Sequence, residues 1–124
     1  MEGPAETRQR QDENAHAASS QVVTVQELRL KPGAAEEFVA RFRELDVLGL
    51  AAKAAGGELL EAAMAESEDG VVVVVVTRWA SERGIEGWIA SDARVVVREA
   101  LEPFYAEPAV VRRFTVRSRF EARG

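Results

Sequence analysis

Val71-Val72-Val73-Val74-Val75-Val76-Thr77-Arg78-Trp79 decides how the rest of this chain is read. Side chains of a strand alternate between two faces, so Val71, Val73 and Val75 point one way and Val72, Val74 and Val76 the other. β-Branched side chains favour the pleated strand over the helix. The run is far too short to span a bilayer. Both faces are apolar, and both need cover. The stretch therefore predicts a central strand with helices over one face. A chain of 124 residues has little left to cover the other, which points to a second subunit.

Upstream, Ser67-Glu68-Asp69-Gly70 is a turn, with Asp-Gly as its hairpin signal. It joins the valine run to a strand over Glu58–Glu66. Gly56-Gly57 caps a long helix over Ala34–Ala55. Phe38, Phe42, Leu45 and Leu48 form one apolar stripe of that helix, and Gly49 marks a kink in it. Gln21–Leu30 is the first strand, stopped by Lys31-Pro32-Gly33. Val22, Thr24, Gln26, Leu28 and Leu30 share one face; Val23, Val25, Glu27 and Arg29 share the other.

Downstream, Ser81–Ala90 reads as a short helix loosened by Gly84 and Gly87. Ser91 or Asp92 caps a further helix to Leu101. Pro103–Pro108 is irregular, and Ala109–Phe120 is the last strand, with Arg112, Arg117 and Arg119 supplying the charge of a sheet edge. The order β-α-β-β-α-β is the α+β, ferredoxin-like arrangement with an antiparallel four-stranded sheet. Right-handed crossovers put the first and third strands at the centre. Two such sheets meeting through their open faces would make a homodimer.

Composition narrows the function. Hydrophobic residues make up 47% of the chain, enough for one core, and the net charge of -5 argues against nucleic acid or an anionic membrane as partner. The arginines around Phe114 and Phe120 form only one basic edge. Without cysteine there is no disulfide, thiolate chemistry or iron–sulfur cluster. Residues 1–20 have no hydrophobic period and read as a disordered arm, leaving 21–120 as the domain. The one histidine, His16, falls in that arm, so histidine-based catalysis or metal binding is not expected. Glu66, Glu68 and Asp69 read as a solvated turn rather than a metal site. No signal peptide or transmembrane window is evident, so a cytoplasmic protein is expected.

The run ending in Lys31-Pro32-Gly33, the acidic helix start Glu36-Glu37-Phe38, Gly56-Gly57 and above all Arg78-Trp79-Ala80-Ser81-Glu82 resemble the antibiotic biosynthesis monooxygenase family. The resemblance spans about Val22–Val116. It implies a dimeric α/β barrel and, in some members, oxygenation of aromatic polyketides without metal or flavin. Trp79-Ala80-Ser81 followed by Gly87-Trp88-Ile89-Ala90-Ser91-Asp92 also resembles the haem-degrading branch. Carried over by position, that branch's tryptophan is Trp88. Its asparagine falls on Gln26 and its iron-binding histidine on Arg98. Arginine has no free lone pair for iron, so haem degradation is not expected, and neither is any other cofactor.

The resemblance and the patterning together make Gln26, Trp88, Arg98 and Tyr105 the candidate site for an aromatic small molecule. Gln26 either orients a substrate carbonyl or phenol or bonds a helix backbone group. Trp88 lines a flat pocket or belongs to the core, whereas Trp79 is a packing anchor. Arg94 and Arg98 share a helix face that is either solvated or, at Arg98, turned inward to an enolate. Tyr105 donates to a ligand or closes the pocket. Three roles remain open: cofactor-free oxygenase, non-catalytic ligand-binding barrel, and cyclase or isomerase of the same fold.

Overall fold

A computed structural model of the chain describes residues 20–122. The proposed arm over residues 1–20, with His16, lies almost wholly outside them. The elements are β1 (Val22–Arg29), α1 (Ala35–Glu44), α2 (Val47–Ala54), β2 (Leu59–Glu66), β3 (Val72–Trp79), α3 (Glu82–Ile89), α4 (Asp92–Leu101) and β4 (Val110–Thr115), with a 3₁₀ turn at Glu102–Phe104. One antiparallel sheet has the order β2-β3-β1-β4. The valine strand and the first strand are central, as their apolar character requires, and the sheet is open.

All the helices lie on one face. Leu28, Leu30, Val73 and Val75 of that face are buried with Phe38 and Phe42 of α1, Val47 of α2 and Val97 and Leu101 of α4. Trp79, Val22, Ala55 and Ile85 form a second, smaller cluster, and Trp88 packs against both. Trp79 is 2% exposed, the packing anchor that its strand-end position suggests.

Three features depart from the sequence reading. The helix over Ala34–Ala55 is two helices, broken at Leu45 and Asp46 rather than kinked at Gly49. Asp46 sits in the left-handed region at φ 52°, which ends α1 and starts α2 in a new direction. Gly49 is the accommodation, because a Cβ there would collide with the Asp46 carboxylate. The last strand also stops early, at Thr115 rather than Phe120. β1 begins at Val22, opposite Thr115, so the chain beyond finds almost no ladder to join.

Gly84 and Gly87 do not loosen α3, which is one regular helix. A Cβ on Gly87 would stand 2.8 Å from the Ala54 carbonyl oxygen, so this glycine lets α3 press its backbone onto the end of α2. That contact fixes where Trp88, the next residue, projects.

Candidate active site

Between the helix-covered face of the sheet and the helices lies a cavity of about 890 Å³. That is within the range of pockets for drug-sized ligands. β1 contributes Thr24, Gln26 and Leu28; β3 contributes Val75, Thr77 and Trp79; β4 contributes Val111 and Arg113. The pleat explains the set. Gln26 pairs across the ladders with Val75 and Val111, and Thr24 with Thr77 and Arg113, so all share one face. Phe42, Val47, Trp88, Val97 and Leu101 supply apolar walls from the helices.

The structure brings all four sequence-derived candidates, Gln26, Trp88, Arg98 and Tyr105, to this one cavity. Gln26 is half-buried, and among the described residues its amide has no protein hydrogen-bond partner. The helix-backbone bond considered for it is not made. No described side-chain polar atom is fully buried without a partner, so this amide faces open cavity. Trp88 is half-buried on the α3 wall. Arg98 is at the rim rather than turned inward, exposed and 3.7 Å from Glu102 one turn further along α4. An exposed pair of this kind is worth little, which leaves the guanidinium free to exchange Glu102 for a ligand anion.

Tyr105 is held from several sides. Its ring lies 6.2 Å from that of Phe38, and it forms an isolated bridge with Leu30. The Ala106 N–H donates to the Arg29 carbonyl at 2.8 Å. Burial, and secondarily the nearby Glu102 charge, push the Tyr105 phenol from 10.0 up to about 12. It therefore stays a proton donor at any physiological pH. The folded state holds this proton more tightly than the unfolded chain, so the stabilisation is whole below pH 10 and is lost as pH rises through about 12. Tyr105 is the only tyrosine, so the phenolate absorbance of the folded protein should rise with a midpoint near 12. A midpoint at the ordinary 10.0 would mean that the ring is not buried as described.

Thr24, Thr77, Arg94 and Arg113 also line the cavity, and sequence reasoning gave none of them a role. The signal was present. Thr24 and Thr77, like Gln26, are polar residues on strand faces whose other positions include Val22, Leu28, Val73 and Val75. They hydrogen-bond to each other, and the Trp79 indole N–H donates to both oxygens, at 3.2 Å to Thr24 and 2.9 Å to Thr77. Among the described residues no three His, Cys, Asp or Glu side chains come together as a metal site.

The site is thus an aromatic-walled slot with hydrogen-bond donors at several points. Its lining carboxylates, Glu102 and Glu107, are paired with Arg98 and Arg29. Such a lining has room for a flat apolar molecule and sets hydrogen-bond donors beside it.

Known proteins resemble this chain in fold and, at the level of the family, in sequence. A search of curated protein sequences finds no match. Among solved structures, the fold is similar to a variant of SnoaB, a cofactor-independent oxygenase from Streptomyces nogalater. TM-score is 0.69 and identity 16%, over 83% of this chain and 99% of that one. It is similar to the monooxygenase from the gene ActVA-Orf6 of Streptomyces coelicolor, solved with nanaomycin D. There TM-score is 0.68 and identity 22%, over 88% of this chain and 98% of that one. A conserved protein from Methanosarcina mazei Go1 gives TM-score 0.68 at 13% identity, over 82% and 97% of the two chains. At such identities the likeness is one of fold. The sequence itself decides the family: the profile of antibiotic biosynthesis monooxygenases matches residues 21–100, and this chain belongs to that family.

Proposed function

We propose that this protein is a cofactor-independent monooxygenase acting on an aromatic, polyketide-like small molecule. The observation that carries the reading is the cavity of about 890 Å³ with apolar walls and an unpartnered Gln26 amide inside. Family membership and the cofactor-independent oxygenase among the similar folds support it.

An anthrone or hydroquinone supplies the electrons. The substrate gives up a proton to water, from carbon in an anthrone or from oxygen in a hydroquinone, and the resulting anion, delocalised over carbon and oxygen, gives one electron to dioxygen. The radical pair combines to a peroxide, which takes up a proton. Loss of water then leaves a new carbonyl: one oxygen atom stays in the product and the other departs as water. The chain's task is to lower the energy of the first anion and keep the pocket dry. Gln26 donates its amide N–H to the anion's oxygen, Tyr105 its phenol O–H, and Arg98 a charge. Trp88 gives a face for the ring to lie against.

The absence of an unpaired carboxylate in the lining favours one second reading, a ligand-binding barrel without catalysis. Oxygen uptake separates the two. The protein should accelerate consumption of dioxygen by a simple anthrone with one molecule of water formed per turnover. A bound but unreacted anthrone would support the binding role and overturn the oxygenase.

The active form is proposed to be a homodimer through the open sheet face. Val23, Val25, Val72 and Val74 are half-buried there and Val76 is 38% exposed. Exposed Val110 and Phe114 extend the same apolar surface onto β4. Stacking two such faces removes this surface from water. The protein should sediment at twice its 13.6 kDa mass. Val76→Glu, which puts a charge at the centre of the face, should give the single-chain mass. A parent that sediments as one chain would rule the dimer out.

A further inference from the structure

Positive charge gathers, uncompensated, at one end of the cavity. Arg113 stands directly across the ladder from Thr24, on the cavity side of β4. Arg94 lines the cavity one turn before Arg98 on α4. That helix runs toward Tyr105, which bridges to Leu30 at the far end of β1. Its start, with Arg94, therefore lies toward the Thr24 end. The two lining carboxylates are engaged elsewhere, Glu102 by Arg98 at 3.7 Å and Glu107 by Arg29 at 3.0 Å. Among the described residues neither Arg94 nor Arg113 has an ion-pair partner.

Thr24 adds a neutral donor at the same place. Its hydroxyl and that of Thr77 hold two protons between them, and one is spent in the bond between the two oxygens. The other has only the Thr24 carbonyl, 3.5 Å from the Thr77 oxygen and at the limit of a hydrogen bond. The better arrangement lets Thr77 donate to Thr24, whose own proton then faces the cavity. The Trp79 N–H on both oxygens holds the pair in place.

We propose that Arg113, Arg94 and Thr24 form a carboxylate subsite, and that the substrate is a polycyclic aromatic acid. The acid end is held here, while the reacting ring lies between Trp88 and Gln26. The guanidinium fork matches a carboxylate with two parallel hydrogen bonds. This assignment rests on the ligand-holding reading of the cavity given above, but not on the chemistry.

Calorimetric titration with an anthracene carboxylate and the matching carboxamide tests it. The two have the same shape and differ by one charge. The parent should bind the acid at least about tenfold more tightly than the amide, as expected of one charge-assisted contact. Arg113→Gln should lower acid affinity about tenfold and leave the amide unchanged, and Arg94→Gln combined with it should erase the preference. Arg43→Gln, the same charge change on exposed α1 surface, should change neither. Thr24→Val should weaken acid binding, and Thr24→Ser should restore it. Equal binding of acid and amide by the parent, or an equal loss of both in Arg113→Gln, overturns the subsite while leaving the oxygenase reading intact. Failure of the parent to bind either compound overturns both.

Discussion

Phe38→Ala lowers the free energy of unfolding by about 4 kcal/mol, the cost expected when a fully buried aromatic ring is cut to a methyl group. Phe38 is 0% exposed. Its ring lies 5.9 Å from Phe42, 6.0 Å from Phe104 and 6.2 Å from Tyr105. Part of the loss is transfer free energy, and part is the hole left between α1 and the 3₁₀ turn. That turn carries Tyr105, so the damage reaches the site. With Phe38 gone, water approaches the phenol, and its pKa should fall back from about 12 toward 10.0. Urea unfolding and phenolate titration of the same variant check both. A loss under about 1 kcal/mol would mean that the ring is not the keystone its contacts indicate.

Trp88→Ala and Arg98→Ala slow oxidation of a simple anthrone, each by at least about tenfold in kcat/KM. The two should differ in kind. Trp88 packs against both apolar clusters. Its removal opens the α3 wall and lets water in, so both kcat and KM suffer. Arg98 touches little besides Glu102, and its loss removes charge stabilisation of the developing anion, which shows in kcat. A donor in a closed oxyanion site is worth about 10²–10³ in rate. Arg98 is exposed at the rim and screened, so its effect lies below that range. If both variants turn over as fast as the parent, these side chains do not act on the substrate.

The sheet could be read from the sequence because its signals are local and repeated. The alternation in Gln21–Leu30 and the unbroken valines of β3 set strand type, face and central position without knowledge of anything distant. The helix break could not be read. A left-handed Asp46 inside an apolar stripe has no signature apart from Gly49, which stands three residues after the break that it accommodates. The end of β4 depends on where β1 begins, a property of pairing rather than of β4. In the site, parity placed Gln26 on the helix-covered face, whereas Trp88 was reached through the family resemblance and not through a helix pattern. The partnerships of Thr24 with Thr77 and Trp79 join residues 53 and 55 positions apart. Only the register of the folded sheet discloses them. Whether Arg98 pointed inward was equally a matter of tertiary geometry, and in the folded chain it is exposed at the rim.

The placement of the two indoles has an optical consequence. Trp79 borders the same cavity but is only 2% exposed, so a quencher in bulk water barely reaches it. Trp88 forms part of the wall that a guest must touch. Titrating in caesium ion, a quencher that stays in water, should therefore dim the emission to a plateau rather than to darkness. The surviving light comes from Trp79, and a guest that fills the cavity and covers Trp88 should raise the plateau.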